Sequence, residues 1–186
     1  MVSFAALWLP IVLSAVLVFV VSSILHMAFT YHSRDYVRLP NEDAVLAAIR
    51  AAKPETRQYV FPYASGMKEM GSPEMQRKLA DGPVGVLTIK PSGPIRMGPA
   101  LGQWFVFSLV ISALVAYAAA HALPAGESYL KVFRVVGTIA WLAYAGGQIP
   151  SAIWMGKPWS IAAKDLFDGL LYGLVTAGTF GWLWPR

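Results

Sequence analysis

Apolar positions in this chain are gathered into long blocks, and the polar ones fall mostly in one broad stretch between the first block and the second. The first block, residues 4–27, is rich in Leu, Val, Ile and Ala and carries no charge. At ~1.5 Å per residue its ~24 residues exceed the ~30 Å hydrocarbon thickness of a bilayer, so the pattern predicts a spanning helix. Three more blocks, about 101–121, 132–155 and 166–184, are each long enough to span. Proline and glycine punctuate them: Gly98-Pro99 before the second, Pro124-Ala-Gly126 after it, Gly156-Lys157-Pro158 after the third and Pro185 after the fourth. The pattern predicts an all-α membrane protein. Helix 1 falls in residues 1–30, a cytoplasmic insert of about 65 residues in 31–98, and helices 2 to 4 in 99–186.

Nothing basic precedes Phe4, and His26-Met27-Ala28 is a poor small-x-small cleavage site, so helix 1 is expected to stay as an uncleaved anchor. Trp8, Trp104, Trp154, Trp159, Trp182 and Trp184 fall near predicted helix ends, as interfacial aromatics do, and Trp141 falls inside a span. Ten of the fifteen Lys and Arg residues lie in 31–96, and Lys157 and Lys164 fall at the loop between helices 3 and 4. The opposite side has Lys131, Arg134 and Arg186, so the positive-inside rule places the insert in the cytoplasm and both termini in the periplasm of a multi-pass inner-membrane protein.

Within the insert, Asn41 is placed to cap a helix over 42–53, whose Val45, Leu46, Ile49 and Ala52 form one apolar stripe. Pro73 and Glu74 open a second short helix to about Ala80. After the Asp81-Gly82 turn, Val84-Gly-Val-Leu-Thr-Ile89 reads as a short strand. Ten basic residues against seven acidic ones, interspersed, give a weak positive bias that anionic lipid explains. Without a basic run or a basic-aromatic stripe, nucleic acid is not an expected partner.

Composition narrows the chemistry. Hydrophobic residues make up 56% of the 186 and charged ones 13%, against about 25% charged in soluble domains. The absence of cysteine excludes disulfides, thiolate metal sites, iron–sulfur clusters and Cys nucleophiles. No HExxH, GxSxG, P-loop or GxGxxG sequence occurs, which weighs against an enzyme and names no catalytic residue. His32, Asp35 and Tyr36 give a minor reading as groups acting on a lipid head group, while Arg34 and Arg38 beside them read as interfacial anchors. His26 and His32 are six apart, off a shared helix face, and His121 lies at the far end of helix 2, so no metal site and no cofactor is expected.

Placed at one membrane depth, His26, Gln103, Gln148, Ser151, Asp168 and Tyr172 converge in the inner half, roughly 5 to 15 Å from the midplane at ~1.5 Å per residue. Polar groups there must find partners, so a shared network is expected, serving either as a small-ligand, proton or metal site around His26 and Asp168 or as helix-to-helix glue. Ala145-Gly-Gly-Gln-Ile-Pro150 should kink or unwind helix 3. Gly169, Gly173, Gly178 and Gly181 form a small-residue face on helix 4 for close packing, within the chain or against a partner.

The stretches Ser22-Ser-Ile-Leu-His-Met27, Arg38-Leu-Pro-Asn-Glu-Asp43, Gly82-Pro-Val-Gly85 and Asp168-Gly-Leu-Leu-Tyr172 resemble small, uncharacterised bacterial inner-membrane proteins of four helices. The resemblance implies an inner-membrane location and no substrate, cofactor or catalytic residue. The leading expectation is an interaction or accessory subunit, partnered by lipid and by another membrane protein or a second copy. The alternative is a small transporter or ligand-binding membrane protein with an inner-leaflet polar site.

Overall fold

A computed structural model describes residues 2–186 and is mostly helical. The chain divides into two compact units, Met1–Asp35 with Ile95–Ala152 and Lys157–Arg186, and Tyr36–Pro94 with Ile153–Gly156.

The first unit opens with a 3-10 turn, Phe4–Leu7, that runs into helix α1, Trp8–Met27. Pro10 is accommodated because the amides of a first turn have no intrahelical acceptor. Among the described residues, Phe4–Met27 is one of two helical segments long and apolar enough to cross a membrane. The other is the fifth helix, described below.

The second unit contains helix α2 (Glu42–Ala52), strand β1 (Gln58–Phe61), the single turn α3 (Met67–Met70), helix α4 (Pro73–Asp81) and strand β2 (Gly85–Thr88). The strands pair antiparallel, with Gln58 opposite Thr88 and Phe61 opposite Gly85. The expected helices and the expected strand are present. The partner strand was not expected: Gln58-Tyr-Val-Phe61 is only four residues long, sits between Arg57 and Pro62, and lacks a clean alternation. Ser72 caps α4, its hydroxyl accepting the Met75 amide at 3.2 Å. Asn41 does not act as its expected counterpart for α2. It adopts a left-handed conformation at φ 50°, and its side chain makes no capping bond.

The rest of the first unit consists of α5 (Met97–Ala122), α6 (Tyr129–Ala145), α7 (Gln148–Met155) as far as Ala152, and α8 (Trp159–Trp182). Helix α5 is the second segment that meets the length and hydropathy needed to cross a membrane. Helix α6 has 17 residues before the chain breaks at Gly146-Gly147, and α8 begins earlier than expected, taking in Lys164 and Asp165. Small residues set the packing, because a missing side chain lets backbones approach closely. On α1 and α5, Ser14, Ala15, Ser108 and Ser112 are fully buried, and the Ser14 hydroxyl donates to Ser112 at 3.0 Å. On α8, a Cβ at Gly169 would lie 2.7 Å from Ala145 Cβ, and one at Gly173 would lie 3.1 Å from the Trp141 backbone nitrogen. The small-residue face of α8 therefore packs on α6 within the chain. Trp184 donates its indole N–H to Pro124 O at 2.9 Å, tying the C-terminal end to the α5–α6 turn.

Candidate functional site

The site begins where α1 ends. Ser22 and His26 are four residues apart and share a helix face. His26 Nδ1 lies 3.0 Å from Ser22 O; a carbonyl only accepts, so Nδ1 carries the hydrogen. The Ser22 hydroxyl in turn accepts the Trp104 indole N–H from α5 at 2.8 Å. After Met27 the chain folds back through a turn in which Ser33 N–H donates to Thr30 O and Asp35 N–H to His32 O, each at 3.0 Å. This reversal stacks His32 on His26, with ring centroids 4.7 Å apart and planes 10° from parallel.

His32 bridges two carboxylates, through Nδ1 to Asp35 Oδ2 at 2.5 Å and through Nε2 to Asp168 Oδ2 at 2.8 Å. Its side chain is 15% exposed and those of the two aspartates 5%. Helix α8 supplies Lys164 and Asp168 one turn apart. Lys164 pairs with Asp35 and also donates to Tyr31 O at 2.5 Å, while the Tyr31 hydroxyl donates to Asp168 Oδ1. Lys164, Asp35, His32 and Asp168 thus form a continuous chain of alternating charge, with Tyr31 holding the outer oxygen. Burial opposes protonation of His32, but the hydrogen bonds to Asp35 and Asp168 outweigh it and hold the imidazole above its ordinary pKa. Hydrogen bonds from Lys164 and His32 hold the Asp35 carboxyl below the usual carboxylate range. Burial, and then the bond to Asp168, push the Tyr31 phenol up.

A cavity of about 610 Å³ opens beside this cluster, between α1, α5, α8 and the α6–α7 break. Four aromatic side chains, Trp104, Phe107, Tyr144 and Tyr172, line it beside Met27, Met97 and Leu101, and Tyr172 sets its ring edge-on to Tyr144 at 5.5 Å and to Trp104 at 5.8 Å. Its polar boundary is formed by His26, Gln148, Asp165 and Asp168. The Gln148 amide oxygen and Asp165 are both engaged by Lys157. Apolar walls with a few fixed polar groups at one end suit a molecule with an apolar body and a polar head.

Of the residues expected to converge, His26, Gln148, Asp168 and Tyr172 do so around this cavity. Gln103 does not: it is exposed on α5, about 100° around the helix from Trp104. Ser151 returns its hydroxyl to Gly147 O of its own turn. Lys164, one turn before Asp168 on α8, pairs with Asp35 and not with Asp168. The separation of His26 from His32 by helical spacing fails because α1 stops at Met27, so helical periodicity does not extend to His32. Tyr31, Asp35 and Lys164 were not placed in the expected network. The available signal was the run Tyr31-His32-x-x-Asp35 directly after an apolar helix, where unpaired ionisable groups are costly. Compared with known proteins, the chain matches no family model, no curated protein and no solved structure.

Proposed function

We propose that the chain is a four-pass inner-membrane protein that holds a small lipid-soluble molecule in the cavity, with the polar head of that molecule against His26 and Asp168. One observation carries this reading: an aromatic-lined cavity of about 610 Å³ ends on a buried, fully paired ionic cluster. Helix-to-helix glue accounts for the cluster, but not for the space left beside it. The polar groups that bound the cavity, His26, Gln148, Asp165 and Asp168, are the ones that meet the head of the ligand. Aromatic faces suit either a flat apolar body or a cationic head.

Support for four passes comes from length and pairing. Helices α6 and α7 together cover Tyr129 to Met155, and the 24 residues of α8 rise ~36 Å at ~1.5 Å each. Lys157, Lys164, Asp165 and Asp168 are all paired within the chain, which lowers the cost of placing them near a membrane interface. The positive-inside bias supports the orientation of this proposal, with the insert and the turn at 156–158 in the cytoplasm and both termini in the periplasm.

Native mass spectrometry of the protein extracted gently from its own membranes tests the reading. The expected result is one defined lipophilic adduct, lost when Leu101→Trp fills the cavity and weakened by Asp168→Asn, but kept by Gln103→Ala. A bare chain in every preparation would remove the proposal. A second reading, an accessory subunit, keeps one supporting observation: α2 has no buried residue, and Leu46 on its apolar stripe is 39% exposed. A co-purifying polypeptide released by Leu46→Glu would favour it.

A further inference from the structure

The two histidines at the end of α1 repeat one arrangement. In each, Nδ1 is held by an acceptor that fixes the ring, the Ser22 carbonyl for His26 at 3.0 Å and the Asp35 carboxylate for His32 at 2.5 Å. In each, Nε2 faces the same atom, Asp168 Oδ2, at 3.9 Å from His26 and 2.8 Å from His32. The other oxygen of Asp168 is held by the Tyr31 hydroxyl. With its Nδ1 held at the Ser22 carbonyl, the ring nitrogen that His26 turns to the carboxylate is Nε2. A cation held between Nε2 and Asp168 Oδ2 is stabilised by both.

We propose that His26 Nε2, His32 Nε2 and Asp168 Oδ2 form a binding site for one divalent transition-metal ion of the zinc type. One donor atom from each of the three residues lies within 4.8 Å of the other two. Metal–ligand bonds of ~2.0–2.2 Å in tetrahedral geometry set donors roughly 3.3–3.6 Å apart. On binding, the metal replaces the Nε2 proton of His32, which is released to solvent, the His32–Asp168 edge opens slightly and the 3.9 Å His26–Asp168 edge closes. His26 is free to make that adjustment because its side chain is 52% exposed, and the tilt also takes its ring out of the parallel stack. Two imidazoles and one carboxylate favour a borderline ion over magnesium or calcium, which prefer all-oxygen shells. Ser22, Asp35 and Tyr31 then supply the outer hydrogen bonds that fix tautomer and orientation around metal-binding histidines and carboxylates. Three protein ligands leave a coordination position open. His26 and Asp168 both line the cavity, so that position faces into it.

The site rests on the donor geometry and not on the ligand reading above, and its test uses metal alone. Full-length protein in detergent is stripped with a chelator and titrated with Co²⁺, following visible absorption, with Zn²⁺ as competitor. The expected result is one equivalent of Co²⁺ with d–d bands, displaced by Zn²⁺. His26→Ala, at the exposed rim, should weaken binding at least about 10-fold while the metal-free protein melts as wild type does. Asp168→Asn should do the same or worse, and His121→Ala, at the exposed end of α5, should change nothing. Absence of stoichiometric binding by wild type, or wild-type affinity in His26→Ala, overturns the proposal. So does loss of binding in His121→Ala alone. A failed titration leaves the lipophile adduct untouched, and a missing adduct leaves the metal titration to stand, so the two readings fail separately.

Discussion

Asp35 is the residue on which the ionic cluster turns, because it accepts from His32 on one oxygen and from Lys164 on the other. Replacing it by Asn removes the anion that orients the His32 ring and leaves Lys164 without its counter-charge. Loss of such an outer partner lowers metal affinity by about 10- to 100-fold in sites where a carboxylate supports a ligating histidine. Asp35→Asn is therefore expected to weaken Co²⁺ binding by about that factor and to lower the melting temperature. Adding Lys164→Met should recover the melting temperature, since no unpaired charge then remains, without recovering the metal. Cobalt titration and thermal melting of both variants separate the two effects; recovery of metal affinity in the double variant would argue against the orienting role. At this scale the sequence was legible in part. His26 and Asp168 stood out as ionisable groups in apolar helices, where lack of a partner is costly. Tyr31 and Asp35 did not, because their meeting with α8 depends on how the chain reverses after Met27, and no periodicity encodes that turn.

The glycines of α8 differ in what surrounds them, and that difference sets the prediction for the helix pair α6–α8. At Gly173 an added Cβ meets backbone on two sides, Trp141 N at 3.1 Å and Gly137 O at 3.2 Å, and backbone atoms cannot swing aside. Gly178 has only the Tyr129 hydroxyl, at 3.8 Å. Gly173→Ala should destabilise by about 1–3 kcal/mol through overpacking. Gly178→Ala should be neutral or should stabilise by up to about 1 kcal/mol through helix propensity. Thermal melts in one detergent check the pair. Equal melting temperatures for the two variants would mean that the helices do not pack as described. The glycine spacing was readable as a packing face from the sequence, but its partner was not, since GxxxG marks a close approach without naming what approaches. The break between α6 and α7 was readable because Gly146, Gly147 and Pro150 each weaken a helix by a known local mechanism. Strand β1 was not, since its four residues gain their identity from pairing with β2.

For the whole molecule, the number of membrane crossings decides whether the cavity faces lipid at the cytoplasmic side, and two arrangements compete. Among the described residues, α1 with the turn before it and α5 alone meet the length and hydropathy of a span, and two passes would leave everything after α5 in the periplasm, away from His32 and Asp35. Four passes return the turn at 156–158 to the cytoplasm, where Lys157 and Lys164 satisfy the positive-inside bias that Arg34, Arg38, Lys90 and Arg96 set for the insert. Because the chain has no cysteine, single cysteines report sidedness without background. Ser65→Cys in the insert, Ala125→Cys in the α5–α6 turn and Met155→Cys at the end of α7 sample the three regions that matter, and Met155 is 54% exposed. Treated in intact cells, with the outer membrane made permeable, with a maleimide that cannot cross the inner membrane, Ala125→Cys should label. Ser65→Cys and Met155→Cys should label only after lysis. Labelling of Met155→Cys alongside Ala125→Cys would exclude four passes, and with them the described pairing of Lys164 with Asp35 and of Asp168 with His32, since both partners directly follow α1 on the side of the insert. Protection of Met155→Cys instead puts the His26, His32 and Asp168 cluster at the cytoplasmic boundary, where a metal ion is drawn from the cytosol and a lipophile from the inner leaflet.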